Sequence, residues 1–306
     1  MKAMVEPGLM QAGRVFGPGE IEHIRETVEL FPKLSRSELA ETICDHFQWY
    51  APSGTRKRQA CEKLLERLEA QGVVKLPAKR TRRALANRLP GEPGWSPRTD
   101  PGGELCAPLA AVQPVWLEQA ATAESVALWN EYVGRHHYLG YTPPFGCHLR
   151  YFVRSGRGDL GCVLLAGAAK AIAARDRWVG WSRVERLRNL GWVVNNTRFL
   201  VFPWVRVPHL ASHILGQVAR QVGEDWHQRW GYRPLLMETF VDPARFRATC
   251  YRASGWERVG QTTGEGKPRR GKTYQTTVKD IYVRALQKEV RQRLCCPHLV
   301  GRQVEP

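Results

Sequence analysis

Hydrophobic residues near the N-terminus recur with a helical period. Apolar positions lie three or four residues apart in Gly19–Leu30, Leu39–Phe47 and Ala60–Leu68. The second segment begins at a capping box, Ser35-Arg36-Ser37-Glu38, in which the serine hydroxyl accepts from a backbone N–H and the glutamate reaches back. Val73–Pro77 then has the apolar content of a short strand. Three helices followed by a strand predict a small, winged-helix-like helical domain, and an alternative is a helical bundle that binds another protein.

A second region alternates between helix-like and strand-like patterns. Apolar residues in Trp116–Tyr132 predict a helix, and Leu149–Val153 and Leu160–Leu165 flank a turn, which indicates a β-hairpin. The remaining predicted elements are a strand at Phe199–Phe202, a long amphipathic helix at Leu210–Trp230, a strand at Leu235–Val241 and a short helix at Pro243–Ala253. This order predicts an α+β domain with a mixed, mostly antiparallel sheet flanked by helices.

These patterns divide the chain into four parts. We predict a winged-helix-like domain at residues 19–78, a basic, proline-rich linker at 79–108, an α+β domain at 109–290 and a tail at 291–306. The longest apolar runs are far shorter than the roughly 18 residues of a membrane span, and charge and proline interrupt the N-terminus where a signal peptide would be apolar. We therefore expect a cytoplasmic protein with no membrane partner.

The net charge of the chain indicates the kind of partner it binds. The chain has 46 Lys and Arg against 29 Asp and Glu, a net charge of +17. Residues 1–104 contain 17 basic and 14 acidic residues, so most of the surplus lies in the C-terminal part. A field of this sign attracts polyanions, and we expect DNA as the partner, with RNA, a second copy of the chain and a partner protein left open.

The cations predicted to bind DNA are clustered. The winged-helix comparison places three at the start of the recognition helix, the linker carries four more, and a loop before the last strand holds another basic run beside tyrosines. The predicted DNA-binding residues are Arg56, Lys57, Arg58, Lys79, Arg80, Arg82, Arg83, Arg198, Lys267, Arg269, Arg270 and Lys272.

Three carboxylates are candidate metal ligands. Glu238 and Asp242 are four residues apart at a strand end, where side chains at i and i+4 point the same way, and Asp176 is a third candidate. Such a cluster could hold Mg²⁺ or Mn²⁺ and activate water or a 3′ hydroxyl. The alternatives are that Glu238 is a buried acid neutralised by Arg198 or Arg245, and that Asp242 caps the helix that follows.

Three neighbouring residues are further catalytic candidates. His136 and His137 could act as a general base or a proton donor, or could simply favour the C-terminal end of a helix. Tyr138 could serve as a covalent nucleophile toward phosphate.

The chain resembles two families. The element order and the segment Ala248–Trp256 resemble the GCN5-related N-acetyltransferase (GNAT) fold, although Val205–Ser212, before the long helix, lacks the glycine-rich turn that would hold acetyl-CoA. Almost the whole chain more closely resembles the DruA family, named from the Druantia anti-phage system and also associated with mobile elements. The segments that carry this resemblance are Arg135–Gly140, Arg175–Asp176, Val179–Trp181, Asn196–Leu200, Leu210–Ser212, Asp225–Trp226, Leu236–Asp242 and Tyr251–Trp256.

These observations favour a DNA-related function. The main hypothesis is a DNA-binding protein of a mobile element or a defence system that cleaves or transfers strands with metal assistance, in the manner of a nuclease or transposase. One alternative is a non-catalytic DNA sensor or adaptor. The other is an acyltransferase of GNAT type.

Overall fold

The N-terminal domain is a small helical unit preceded by a β-hairpin. A computed structural model of the chain describes residues 8–32, 34–78, 94–144, 146–264, 277–297, 299 and 301. The first elements are β1 (Leu9–Gln11), β2 (Arg14–Phe16), α1 (Pro18–Leu30), α2 (Arg36–His46) and α3 (Arg58–Ala70). The helices bury one apolar face each, and these faces meet Phe16 and Trp49 in a core separate from that of the rest of the chain.

The predicted winged helix is only partly present. The three helices form, and Ser35 and Glu38 make the predicted capping box. The described residues after α3 contain no strand at Val73–Pro77, and the hairpin lies before α1 instead. The winged-helix interpretation is therefore not confirmed. Val73–Pro77 is extended and apolar, as predicted, but it has no neighbouring strand among the described residues with which to pair.

The larger domain is built on one central sheet. Its elements are β3 (Leu105–Cys106), β4 (Val115–Gln119), α4 (Ala123–His136), β5 (His148–Ser155), β6 (Gly158–Gly167), α5 (Ala173–Val179), α6 (Arg183–Asn189), β7 (Val193–Val201), β8 (Val205–Arg206), α7 (Leu210–Trp230), β9 (Leu236–Val241), α8 (Thr249–Ala253), β10 (Glu257–Gln261), β11 (Asp280–Ala285) and α9 (Val290–Leu294). The strand order is β10-β11-β9-β7-β6-β5-β4. Among the described strands of this sheet only β7 and β9 run parallel, which confirms the mixed, mostly antiparallel sheet, and β3 and β8 pair in parallel as a separate two-stranded sheet.

One predicted helix begins later than expected. Val115–Gln119 is a strand whose residues alternate between buried and exposed, and α4 starts only after it. The boundary is set by Thr122, whose hydroxyl accepts from the Ser125 N–H and caps the helix. Among the described residues, no helix is long and apolar enough to cross a membrane.

The parallel strands β7 and β9 diverge. They pair at only three positions, from Val193 opposite Leu236 to Asn195 opposite Glu238. On its other side β7 contains a bulge, because Leu164 of β6 pairs with Arg198 while the next residue, Leu165, pairs with Asn196. A bulge of this kind bends and twists the strand that carries it. Residues 196–201 of β7 therefore lose β9 as a neighbour, and a cleft opens between the two strands.

Candidate functional site

The cleft between β7 and β9 is a cavity of about 540 Å³. Its walls are largely apolar and include Leu200 and Val201 of β7, Val241 of β9 and Ala211 at the start of α7. Polar groups come from the two strand ends, from α8 and from the end of α4. A mostly apolar cavity with a few convergent polar groups has the character of a small-molecule site.

Tyr251 of α8 presents a protonated phenol to this cleft. Its ring is buried, packed against Trp256 and Tyr282 at centroid distances of 5.3 and 6.0 Å. Burial raises its pKa, because a phenolate would lose its hydration there. Asn196 Nδ2 donates to the Tyr251 oxygen at 3.4 Å, and the Thr239 hydroxyl is a second hydrogen-bonding neighbour of the phenol.

Two buried polar atoms belong to residues that line the cleft. Asn196 Oδ1 and Thr197 Oγ1 are buried, and neither has a hydrogen-bond partner among the described residues. Both residues line the cleft where β7 leaves β9. Leaving a buried polar atom unsatisfied costs about 1–3 kcal/mol, so such atoms usually meet a ligand or water. The cleft is thus prepared for a ligand with polar groups.

His137 is neutral, and its ring proton is on Nε2. Burial and the positive charge of Arg198 lower the pKa of His137 to about 4. The Leu139 N–H donates to Nδ1 at 3.2 Å, so Nδ1 is the acceptor and Nε2 bears the hydrogen. His137 lines the cleft as a hydrogen-bond donor, and this arrangement does not favour the predicted role of general base.

This environment predicts acid-dependent stability. A histidine whose pKa is lowered on folding binds protons more weakly in the folded chain, so its contribution to the free energy of unfolding falls as the pH drops from about 6.5 to about 4. Replacing His137 with glutamine should remove that part of the loss. The measurement is urea unfolding of both proteins between pH 4 and 7.5. Parallel pH profiles of the wild type and His137→Gln would contradict the assignment.

The other two candidates of this cluster have different surroundings. His136 Nε2 lies 2.8 Å from the Thr99 carbonyl oxygen, to which it donates, and its ring packs against Trp204. Tyr138 is 40% exposed at the mouth of the cleft, 5.3 Å from the Phe246 ring. Burial, and then Asp242, raise the pKa of Tyr138, so its hydroxyl stays protonated. Nothing in these contacts activates Tyr138 as a nucleophile.

Glu238 is held by an arginine that the sequence did not single out for it. Its side chain is fully buried, and it accepts from Arg175 Nη1 at 2.6 Å and from the Ala169 N–H at 2.7 Å. Burial raises the pKa of Glu238, and Arg175 opposes that effect. The expected partners Arg198 and Arg245 are engaged elsewhere: Arg198 Nε donates to the Gly140 carbonyl, and Arg245 lies near Asp242.

The other two carboxylates also have local partners. Asp176 accepts from Arg175 Nε at 2.9 Å and from Trp181 Nε1 at 3.0 Å. Asp242 accepts from the Ala244 N–H at 3.0 Å, which is the capping role weighed as its alternative. Arg175, buried between Asp176 and Glu238, therefore occupies the place that a metal ion was expected to take.

The described residues supply no group of three His, Cys, Asp or Glu side chains that could hold a metal ion. Binding of Mg²⁺ or Mn²⁺ through Asp176, Glu238 and Asp242 stays a prediction without such a cluster to support it. The hypothesis of metal-assisted cleavage or transfer of DNA strands, which depended on these carboxylates, is wrong.

The predicted DNA-binding residues fall into three groups. Arg56 pairs with Asp45 and Arg58 with Glu41, whereas Lys57 is half-buried at the start of α3. Arg198 is used within the domain, as described above. The others, Lys79, Arg80, Arg82, Arg83, Lys267, Arg269, Arg270 and Lys272, lie outside the described residues.

Sequence reasoning missed the residues that the cleft brings together. Tyr251 stood inside the segments that resembled the GNAT fold and the DruA family, and these resemblances were the signals that could have identified it. Asn196 and Thr197 stood inside the segment Asn196–Leu200 that resembled the DruA family, but their place in the cleft arises from the bulge and from the end of the β7–β9 pairing.

The fold and the site define the class of protein. Diverging parallel strands at the centre of a mostly antiparallel sheet, with a long helix between them, give the core a GNAT-like fold. The chain belongs to the DruA family, since the family model described as Druantia protein DruA matches residues 67–294. Both expected resemblances are confirmed. None of the curated proteins matches the chain.

Several solved structures with similar folds are acyl-transferring enzymes. They include the aminoglycoside acetyltransferase AAC(6')-Ib in complex with coenzyme A and kanamycin, 15% identical over 58% of this chain and 98% of that chain, at a TM-score of 0.36. The ribosomal-protein-S18-alanine N-acetyltransferase from Escherichia coli is 7% identical over 56% of this chain and 94% of its own, at a TM-score of 0.34. FeeM, an N-acyl amino acid synthase from uncultured soil microbes, is 12% identical over 58% of this chain and 93% of its own, at a TM-score of 0.34. The nuclease and transposase expectation has no counterpart among these three.

Proposed function

We propose that the chain is an acyltransferase that moves an acyl group from a thioester to an amine in the cleft between β7 and β9. The observation that carries this proposal is the cleft itself, where two parallel strands part beside a protonated Tyr251 and the unsatisfied polar atoms of Asn196 and Thr197. The proposal takes the place of strand cleavage as the reaction of this domain.

The cleft suits an extended, amide-containing chain. Residues 196–201 of β7 have β6 on one side and no strand on the side from which β9 departs. Alternate residues of this segment turn their backbone N–H and C=O toward the open side, where the Asn196 carbonyl accepts from the Thr239 hydroxyl, so an extended ligand can add to the rest of this edge as a strand would. The arm that carries an acyl thioester is a ligand of that kind.

The cleft residues have the protonation states that acyl transfer needs. When the amine nitrogen attacks the thioester carbonyl, a C–N bond forms, the C–S bond breaks, the nitrogen loses a proton to water and the sulfur gains one. Tyr251, whose phenol burial keeps neutral, gives the proton of its hydroxyl to the leaving sulfur and regains one from the water that took the proton of the amine. His137 offers Nε2–H as a further donor for a carbonyl oxygen, since its other ring nitrogen is engaged by Leu139.

The turn before α7 does not fit the pyrophosphate of coenzyme A in the usual way. Residues 205–209 contain no glycine, and Pro208 has no N–H to donate. His209 takes a left-handed conformation with φ of 65°, and Val205 and Arg206 pair with β3. No step of the proposed reaction therefore depends on the nucleotide, and the donor is defined by its thioester alone.

The test is a turnover assay with the full chain. Acyl-coenzyme A and acyl-pantetheine thioesters of increasing chain length are mixed with a set of amines, and free thiol and acylated amine are measured together. The expected result is amine-dependent thiol release above the uncatalysed rate, with a matching mass increase in the amine. A folded protein that yields no acylated product from any donor and amine would contradict the proposal.

A further inference from the structure

A second, larger cavity lies between the N-terminal domain and the core domain, and its volume is about 1250 Å³. The two domains meet closely at its border. Gly13 lies so near α6 that a Cβ atom on it would approach the Arg188 nitrogen to 2.8 Å, and a Cβ on Gly191 would approach Pro52 to 3.0 Å. The walls of this interdomain groove are the start of α3 on one side and α6 with the β6–α5 connection on the other.

The groove is strongly basic on both walls. The N-terminal domain contributes Lys57, Lys63 and Arg67, and the core domain contributes Lys170, Arg183 and Arg186. Two further arginines at the same place, Arg56 and Arg58, are neutralised by Asp45 and Glu41. Glu41, the acidic side chain among the described lining residues, is therefore already engaged with Arg58.

Several of these cations have no counter-ion in the part of the chain that the structure describes. No carboxylate among the described residues pairs with Lys57, Lys63, Lys170 or Arg183. Burial, followed by the nearby positive charge of Arg188, lowers the pKa of Lys57. A groove that gathers like charges from two domains without matching anions is electrostatically unfavourable until an anion enters it.

We propose that the interdomain groove binds a single-stranded nucleic acid through its phosphates, with Lys63 and Lys170 contacting the strand from opposite walls. This proposal rests on the groove alone and is independent of acyl transfer in the β7–β9 cleft. It also gives Arg56–Arg58 a different partner from the one that the winged-helix comparison implied. That comparison placed the start of α3 in the major groove of a duplex, whereas in the structure this part of α3 faces the core domain.

The size of the groove favours a single strand over a duplex. Pockets for drug-sized ligands measure roughly 300–1,000 Å³, so this groove takes a few nucleotides and not a double helix. Duplex DNA is stiff over about 150 base pairs and cannot bend into such a space, whereas a single strand follows a basic groove readily.

The test measures binding of fluorescein-labelled oligo(dT) and oligo(U) of about 12 nucleotides by fluorescence anisotropy, using the full chain over a series of salt concentrations. The variant is Lys63→Ala/Lys170→Ala, in which both changed side chains are exposed. We expect its affinity at about 50 mM salt to fall at least roughly 10-fold and the salt slope to decrease by about 1.4, as for two lost phosphate contacts on a single strand.

The matched control is Lys75→Ala/Lys288→Ala. It removes two exposed lysines, again one from each domain, that do not line the groove. We expect less than about a 3-fold loss, because distant exposed charges are largely screened. Equal losses in the two variants, no binding by the wild type, or tighter binding of a duplex than of both single strands would each overturn the proposal. Whichever of oligo(dT) and oligo(U) binds more tightly identifies the strand as DNA or RNA.

Discussion

Replacing Arg175 with alanine is expected to lower the free energy of unfolding by about 3–5 kcal/mol, the cost typical of removing one partner of a buried ion pair. Arg175 and Glu238 are both fully buried, so the variant would leave a carboxylate without a counter-ion inside the core. Urea unfolding followed by tryptophan fluorescence measures the effect.

The pH dependence of the Arg175→Ala variant distinguishes charge from lost packing. Burial raises the pKa of Glu238 and Arg175 lowers it, so removing Arg175 raises that pKa further. An acid whose pKa is raised on folding contributes stability below its unfolded pKa, and this contribution is lost as the pH rises through the folded pKa. The deficit of the variant should therefore be smaller near pH 4.5 than near pH 8.

Two further variants control for other causes. Arg186→Ala removes an arginine that pairs with Asp176 at 3.4 Å in a more accessible place, and it should cost no more than about 1 kcal/mol. The double change Arg175→Met/Glu238→Met should recover much of the loss, because it removes both buried charges and keeps the volume filled. If Arg175→Ala is no more destabilising than Arg186→Ala, the pair does not hold this part of the sheet.

Replacing Tyr251 with phenylalanine is expected to lower the kcat of amine acylation about 100-fold, the lower range for a lost general acid. The ring remains, so the contacts with Trp256 and Tyr282 persist and the KM for the thioester should change little. The measurement is the rate of thiol release at saturating thioester.

The matched control is Tyr132→Phe. Tyr132 is as deeply buried as Tyr251, at 8% exposure, but its hydroxyl donates to the Arg98 carbonyl and its ring does not line the cleft. It should keep nearly full kcat. Equal activity of Tyr251→Phe and the wild type would show that the phenol does not donate the proton, while leaving acyl transfer by the cleft intact.

Local sequence signals accounted for much of the secondary structure. The capping box at Ser35–Glu38 and the four-residue period from Leu210 to Trp226 gave α2 and α7 correctly, since both depend on residues within one or two helical turns. The interpretation of Val73–Pro77 as a strand was wrong because an extended segment becomes a strand only with a partner. The β1–β2 hairpin escaped notice because its strands have three residues each.

The predicted site was only partly recoverable from sequence. Glu238 lies in the middle of β9 and Asp242 directly follows the strand, and their spacing did not reveal that Arg175, 63 residues from Glu238, would take the buried carboxylate. The end of the β7–β9 pairing after Asn195 likewise decides which side chains line the cleft, and no spacing in the sequence encodes it.

The sequence by itself determined the fold class, the family, the basic charge and most of the helices and strands, because periodicity, capping and composition act locally or over the whole chain. The tertiary structure alone decided that the carboxylates are bound to arginine, that a cleft opens beside Tyr251 and that lysines of two domains share one groove. These outcomes depend on contacts between distant residues, where burial and the choice of a partner determine what each charged or polar group does.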